Sequence, residues 1–183
     1  MFIQTEPTPN PATLKFLPGQ AIMAHGTADF ASREAAKRSP LAIRLFEVEG
    51  VARVFLGSDF VSITKADAEE WHVLKPAILG ALMEHLTAGR KIIEDGSDGA
   101  APEGQDSDIV KEIKELLDTR VRPAVANDGG DIIYRGFEGG IVYLHLQGSC
   151  AGCPSSTATL KMGIENLLKH YIPEVEGVEA VQQ

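Results

Sequence analysis

One stretch decides the fold of the second half of the chain: residues 127–156, NDGGDIIYRGFEGGIVYLHLQGSCAGCPSS. It holds two β-rich runs, residues 132–137 and 141–147, separated by Glu138-Gly139-Gly140, and this pattern is typical of a β-hairpin. Apolar and polar residues alternate along the second run, so we expect a half-buried strand with one packed face and one polar face. Two cysteines follow the hairpin, within a loop that contains glycine.

Helical patterns flank this hairpin on both sides. Ser107 and Asp108 can cap a first helix, which Pro123 disturbs. Its apolar stripe comprises Ile109, Ile113, Leu116, Leu117 and Val121. A second stripe, closed by Pro173, comprises Leu160, Ile164, Leu167, Leu168 and Tyr171. With a short strand at residues 178–181, this order of elements predicts a small sheet covered by two helices.

Residues 94–106, EDGSDGAAPEGQD, have the composition of a linker. They contain five acidic residues, three glycines and one proline, with no basic and no aromatic residue. Like charges repel one another and keep such a segment extended. We therefore predict an α+β protein of two small domains, residues 1–93 and 107–183, each a small sheet packed against helices and joined by a flexible acidic linker.

The first half also shows mixed helical and β patterns. Four β-rich runs are predicted: residues 2–5, Thr13–Leu17, Val51–Leu56 and residues 60–64. Gly57-Ser58-Asp59 is a hairpin signal between the last two runs. One helix is predicted to begin at Ser39-Pro40 and to stop before Gly50. Another spans residues 67–89, where we expect Pro76 to kink the helix or to start it anew.

Charge and composition exclude several classes of protein. The net charge is −9, and the second half is strongly acidic, which argues against a nucleic-acid partner. No apolar run approaches the about 20 residues that a membrane helix needs, so no membrane association is expected. The first residues lack the order of an export signal. Bacterial cytoplasm is therefore the expected compartment, and the matrix of mitochondria, for a matured protein, is the alternative.

Cys150 and Cys153 are the two cysteines of the chain, and they form a Cys-x-x-Cys motif. A disulfide between them would close almost no loop, so a structural bridge is not their purpose. The spacing lets both sulfurs approach one metal or each other. Ser155, Ser156 and Thr157 are candidate caps of the helix that follows, and a helix amino terminus favours thiolate over thiol.

Three chemistries compete for this pair. Zinc sites and cubane iron-sulfur clusters take about four ligands, so either would need a second chain or another donor to complete the shell. A dithiol oxidoreductase needs only two sulfurs, but a thioredoxin-like fold would need a further hairpin, with a proline facing the pair, and a last helix. Only 30 residues follow Cys153, which weakens that hypothesis. Zinc bridging stays open, and an incomplete site on an exposed loop favours temporary binding.

Both halves resemble one known family. The second half, with Asp128-Gly129-Gly130-Asp131 before the hairpin and Gly148-Ser149-Cys150-Ala151-Gly152-Cys153-Pro154 after it, resembles the NifU-type carboxy-terminal domain. The first half resembles the amino-terminal domain of the Nfu family, through its first residues and the segment ending in Ala12-Thr13-Leu14-Lys15-Phe16. The chain lacks the amino-terminal scaffold domain of the larger NifU proteins, so carriage is better supported than assembly.

The resemblance implies an iron-sulfur cluster scaffold or carrier. Cys150 and Cys153 would bind a labile cluster, [4Fe-4S] first and [2Fe-2S] second, between two protomers of a homodimer. Implied partners are apo iron-sulfur client proteins and upstream cluster donors, with client contact assigned to residues 1–93. The family implies no catalytic base and no nucleotide site, so we expect a carrier and not an enzyme.

Other polar residues receive structural interpretations. His145 could be a further ligand, but a hydrogen-bonded or surface strand residue is the better interpretation. Trp71 is expected in core or domain-interface packing. Asp128 and Asp131 are interpreted as turn residues that surround two glycines. The basic residues Lys111, Lys114, Arg120 and Arg122 are expected on a solvated helix face.

Overall fold

The computed structural model of the protein describes residues 2–94, 107–151 and 154–181. The chain divides into two compact units, Met1–Asp98 and Gly99–Gln183, and each unit has its own sheet and core. The predicted α+β class, with two small domains that each pack a sheet against helices, is confirmed. Apart from Glu94, the predicted linker at residues 94–106 lies outside the described residues.

The first unit contains a five-stranded antiparallel sheet in the order β1-β2-β5-β4-β3. Its strands are β1 (Gln4–Pro7), β2 (Thr13–Leu17), β3 (Ala28–Phe30), β4 (Val51–Leu56) and β5 (Val61–Lys65). The predicted hairpin around Gly57 joins β4 to β5, and the predicted bounds of β2 and β4 are confirmed. Strand β3 was not predicted, because three residues carry too short a pattern to be recognised.

Two helices cover one face of this sheet: α1 (Pro40–Phe46) and α2 (Trp71–Thr87). Helix α2 begins later than predicted and continues through Pro76, so the prediction of a new start there is wrong. Pro76 lies in the second turn, where its missing N–H removes only one hydrogen bond near the helix end. The fully buried core includes Phe16, Phe30, Leu41, Leu45, Ile63, Ile78 and Leu82.

The second unit contains a three-stranded sheet in the order β6-β7-β8. Strands β6 (Gly130–Glu138) and β7 (Ile141–Gly148) form the predicted hairpin, and β8 (Gly177–Val181) pairs with β7 in parallel. The helices are α3 (Asp108–Leu116), a π-helical turn (Leu117–Val121), α4 (Arg122–Asn127) and α5 (Pro154–Tyr171). Their apolar stripes form the core with Ile132, Val142, Leu144 and Val178.

The helical region before the hairpin runs from Asp108 to Asn127, and the π-helical turn lies directly before Arg122 and Pro123, as expected for a helix that Pro123 disturbs. Pro123 itself lies at the beginning of α4, where its missing N–H is tolerated. The prediction that β7 is only half-buried is wrong, because its polar face is buried as well. His145 and Gln147, on its polar face, are only 8% and 7% exposed. No helix among the described residues is long and apolar enough to cross a bilayer.

Candidate functional site

The cysteine loop connects the end of β7 to the beginning of α5. Gly148 adopts a left-handed backbone (φ 66°), which glycine tolerates and which turns the chain out of the strand. Helix α5 begins at Pro154, a residue suited to a first turn. The structure describes Cys150 and Ala151, whereas Gly152 and Cys153 lie outside the described residues. The residues 155–157 lie within α5, so they are first-turn residues and not caps.

Cys150 is part of the core of the second unit. Its exposed fraction is 6%, and it belongs to the apolar cluster beneath the sheet. A Cβ built on Gly130 would lie 2.9 Å from the Cys150 Sγ and 2.6 Å from the Gln147 carbonyl oxygen, so the sulfur packs directly on this glycine. The expectation of an exposed loop is therefore wrong for Cys150, because the adjoining glycine leaves room for the thiol to turn inward.

Backbone and hydroxyl groups hold the described part of the loop. The Ser149 amide donates to the Gly129 carbonyl at 3.2 Å, and the Ser149 hydroxyl donates to the Asp128 carbonyl. The Ala151 amide donates to the Gly148 carbonyl at 3.2 Å. From α5, the Thr157 hydroxyl donates to the Cys150 carbonyl at 3.0 Å. Cys150 is thereby fixed from both sides of the loop.

A buried ion pair lies beside Gly130. Arg122 Nε and Nη2 donate to the two carboxylate oxygens of Asp131, each at 2.9 Å, and Arg122 Nη1 donates to Asp118 at 3.2 Å. The side chain of Asp131 is 5% exposed, and its Oδ1 also accepts a hydrogen bond from the Ile132 amide at 2.8 Å. The hydrogen bonds to Asp131 raise the pKa of Arg122 above its ordinary value despite partial burial.

The predicted solvated face of basic residues is wrong for Arg122, whose guanidinium faces Asp131. Sequence reasoning missed this pair, because Arg122 and Asp131 are separated by a helix end and a turn whose path no periodicity reveals. Two other basic residues of this predicted face lie against aromatic rings. Lys114 Nζ lies 5.3 Å from the centroid of the Tyr134 ring, and the Arg120 guanidinium lies 5.2 Å from the centroid of the Tyr171 ring. These two basic residues cover apolar rings.

The remaining candidates have structural contacts. His145 Nδ1 lies 3.2 Å from the Val181 carbonyl oxygen, as expected for a hydrogen-bonded strand residue. Trp71 packs against the core of the first unit and donates to the Pro11 carbonyl at 3.1 Å. Asp128 is the exposed residue that ends α4, in keeping with a turn. Within residues 2–94, 107–151 and 154–181, no three acidic, histidine or cysteine side chains are grouped to hold a metal.

The chemistry of the loop is that of a soft ligand site. A cysteine thiolate suits soft metals and iron-sulfur clusters, whereas the hard cations prefer oxygen. Cys150 lies four residues before the beginning of α5, an 18-residue helix. The donor type available from the chain therefore fits an iron-sulfur cluster or zinc as a bound species.

Comparison with protein families gives two matches that divide the chain. Residues 3–89 match the model described as "Scaffold protein Nfu/NifU N terminal". Residues 113–179 match the model described as "NifU-like domain". The second match contains both cysteines, the Arg122–Asp131 pair and the hairpin.

Individual relatives match along nearly the whole chain. The human protein named "NFU1 iron-sulfur cluster scaffold homolog, mitochondrial" is 54% identical over 183 residues, which cover 99% of this chain and 72% of the human protein. "NifU-like protein 4, mitochondrial" of Arabidopsis thaliana is 52% identical, over 98% of this chain and 65% of that protein. A NifU-like protein of Saccharomyces cerevisiae, solved by NMR, is 27% identical with a TM-score of 0.48, over 52% of this chain and 87% of that chain.

Proposed function

The chain belongs to the Nfu family of iron-sulfur cluster scaffold proteins, and on this premise we propose that it carries a labile [4Fe-4S] cluster between two protomers and transfers it to apo-proteins. The cluster is cargo. The ligands would be Cys150 and Cys153 of each protomer, and a [2Fe-2S] cluster is the second option. A carrier role of this kind requires no catalytic base.

One observation carries this proposal: the chain brings two cysteines, and they lie three positions apart. A cubane cluster takes about four ligands. Two protomers that present this motif to each other supply four thiolates, so the proposed loaded form is a homodimer. A site that each protomer completes only in part can also be taken apart by exchange, since an acceptor thiolate can replace one donor sulfur at a time.

The burial of Cys150 adds a step to this transfer. At 6% exposure, its sulfur cannot meet a cluster that is shared with a second chain unless it moves away from Gly130. The hydrogen bonds of Ser149 and Thr157 to backbone carbonyls keep the loop closed. We therefore propose that loading and transfer include an opening of the loop at Cys150.

The test is anaerobic reconstitution of the purified chain with iron and sulfide, followed by absorption spectroscopy, metal analysis and size determination. The proposal expects a coloured species with two protomers per cluster, and loss of the colour in both Cys150→Ser and Cys153→Ser. A colourless monomer would contradict it. Zinc that copurifies at half a molar equivalent and resists replacement by iron would favour the zinc-bridged alternative.

Partners and compartment extend the proposal. We propose that the first domain contacts client proteins, and that clients and donors are iron-sulfur proteins, as the scaffold names of the relatives suggest. The human and Arabidopsis thaliana relatives are called mitochondrial. Their names support the mitochondrial alternative and give no support to the bacterial cytoplasm. Pull-down of apo-proteins by the intact chain, compared with residues 107–183, tests the role of the first domain.

A further inference from the structure

The cysteine loop packs on the turn that precedes the hairpin, residues 128–130. Gly130 has no side chain, and a Cβ added there would lie only 2.9 Å from the Cys150 sulfur. The sulfur therefore packs in space that a side chain at this position would need. The carbonyls of Asp128 and Gly129 accept the hydroxyl and amide of Ser149, the residue before the cysteine. Residues 128–130 therefore set the position of both the sulfur and the backbone that carries it.

Asp131 fixes the turn at residues 128–130 from one side. Its carboxylate is 5% exposed and accepts two hydrogen bonds from Arg122 and one from the Ile132 amide. A buried carboxylate depends on its hydrogen-bond donors and counter-charge, so removal of the guanidinium makes the buried position of Asp131 less favourable and draws the carboxylate toward water. This movement displaces the residue that adjoins Gly130.

Arg122 is anchored in turn to the helical region. It is the first residue of α4 and also donates to Asp118 in the π-helical turn, at 3.2 Å. The contacts thus run without a gap from Asp118 through Arg122 and Asp131 to Gly130 and Cys150. Two parallel hydrogen bonds of a guanidinium fix orientation as well as charge, which a lysine cannot reproduce.

We infer that Arg122 and Asp131 are positioning residues for Cys150. They hold the Gly129-Gly130 turn in the position against which the thiol packs, and the thiol must leave this turn to bind a cluster. This inference rests on the proposed function for its meaning in cluster transfer. The positioning of the thiol itself can be measured without any cluster.

The chain offers a matched control for the ion pair. In the first unit, Arg53 makes a similar fork to Asp29, with side chains 25% and 7% exposed, against 38% and 5% for Arg122 and Asp131. Its hydrogen bonds to Asp29 likewise raise the pKa of Arg53. It joins β4 to β3, in the unit that holds no cysteine. Arg53→Gln therefore controls for the loss of a forked ion pair outside the unit of Cys150. Glu165→Gln, which removes hydrogen bonds from Lys169 and the Val178 amide, controls for a loss of stability within that unit.

The first experiment measures the alkylation rate of Cys150 by iodoacetamide in the full chain with Cys153→Ser, so that one thiol reports. A buried thiol reacts only when its surroundings open. Arg122→Gln is expected to react about tenfold faster, the typical effect of losing a hydrogen-bonded charged partner. Arg122→Lys should lie between this variant and the parent, and Arg53→Gln should match the parent.

The second experiment follows the rate of cluster uptake by the chain with both cysteines during reconstitution with iron and sulfide. Arg122→Gln is expected to take up the cluster about tenfold faster than the parent, because its thiol leaves the packed position more readily, with Arg53→Gln unchanged. Both outcomes support positioning. A parent that takes up no cluster would refute the proposed function, while the alkylation rates would still decide the positioning of Cys150.

Two results would overturn the inference. One is an alkylation rate in Arg122→Gln equal to that of the parent. The other is an equal acceleration in Glu165→Gln, which would show that general destabilisation of the second unit is the cause. If Arg122→Gln fails to fold, by circular dichroism, Arg122→Lys decides the matter, since a parental rate in that folded variant contradicts a role for the fork.

Discussion

Cys150 is both the proposed cluster ligand and a buried core residue. A cluster ligand must reach its cargo, whereas this thiol is 6% exposed and packs among apolar side chains. Buried cysteine behaves as a small apolar residue, and its reactivity depends on access and on the thiolate fraction. Its burial therefore contributes to the stability of the domain, and under the proposed function the thiol must become exposed before it can bind a cluster.

Replacement of Cys150 by serine separates these contributions. We expect Cys150→Ser to abolish cluster uptake and to lower the free energy of unfolding by about 1–3 kcal/mol, because it places a hydroxyl in apolar surroundings. Iron per protomer and chemical denaturation measure the two effects. His145→Ala is the control for uptake, since His145 bonds to the Val181 carbonyl. Loss of colour in that variant would instead make His145 a ligand.

Gly130 permits a second test at the level of one residue. Gly130→Ala is expected to lower the free energy of unfolding by about 1–3 kcal/mol, since its Cβ would meet the Gln147 carbonyl oxygen and the Cys150 sulfur. Gly163 in α5 is the matched control, because a Cβ there meets nothing within 4 Å. Gly163→Ala should stabilise the domain by about 0.5–1 kcal/mol. Equal thermal midpoints for the two variants would contradict the packing argument.

At the level of elements, each unit depends on contacts that tie a helix to its neighbours. Ser39 is fully buried at the amino terminus of α1, where its hydroxyl accepts from the Ala42 amide at 3.1 Å and donates to the Ile92 carbonyl at 2.6 Å. Ser107 caps α3 in the same way, but it is exposed, and among the described residues its hydroxyl bonds to the Val110 amide alone, at 3.3 Å. Ser39 therefore connects α1 to residue 92, whereas the hydrogen bond of Ser107 lies within the first turn of α3.

The two serine caps give a matched prediction. We expect Ser39→Ala to lower the free energy of unfolding by about 2 kcal/mol, because it removes a buried cap and takes the hydroxyl donor away from the partly buried Ile92 carbonyl. Ser107→Ala should cost about 0.5–1 kcal/mol, the usual value for an exposed cap. Urea denaturation of the full chain measures both. A larger effect at Ser107 would show that the Ile92 bond adds nothing.

Helix α5 is joined to β8 through Glu165. Its carboxylate accepts from Lys169 Nζ at 2.7 Å and from the Val178 amide at 3.3 Å. These hydrogen bonds, that of Lys169 first, hold the pKa of Glu165 below its ordinary value of 4.5. Because the folded-state pKa is lowered, the stabilisation is fully present above pH 4.5 and is lost as the pH falls through that lower value.

We therefore expect Glu165→Gln to reduce the pH dependence of the thermal midpoint on the acid side. The parent should lose stability from about pH 5 down to about pH 3, and the variant should lose less over this interval. Glu174→Gln removes one carboxylate from an exposed position after α5 and serves as the control. Identical pH profiles for the parent and Glu165→Gln would refute a role for this carboxylate.

The whole molecule has two cores and an uneven charge. The apolar cores of the two units share no residue, and the segment between them carries five acidic residues and no basic residue in positions 94–106. Residues 94–183 contain the cysteines and the whole acidic surplus, since residues 1–93 hold ten acidic and ten basic residues. Each unit buries its own apolar stripes, so neither needs the other to exclude water from its core.

This arrangement predicts that the second domain is independent. Residues 107–183, expressed alone, should fold cooperatively and take up the same amount of iron and sulfide per protomer as the full chain. Circular dichroism and metal analysis measure both properties. A fragment that is unfolded, or that folds and stays colourless while the full chain loads, would show that residues 1–106 complete the fold or the site.

The family and much of the fold could be predicted from the sequence. The hairpin, the apolar stripes and the Cys-x-x-Cys spacing are local patterns, because strand alternation and helical periodicity are set by backbone geometry over a few residues. That local character is why the bounds of β2 and β4 were correct and why two domains could be separated by composition. The short strand β3 and the helix through Pro76 lay beyond such patterns.

The sequence by itself determined that each chain brings two cysteines, three positions apart, and the proposed sharing of a cluster between two protomers rests on that number. Only the tertiary structure decided that Cys150 turns inward onto Gly130 and that Arg122 pairs with Asp131. The reason is physical: burial and ion pairing depend on which distant segments the fold brings into contact, and a side chain's own type leaves both open.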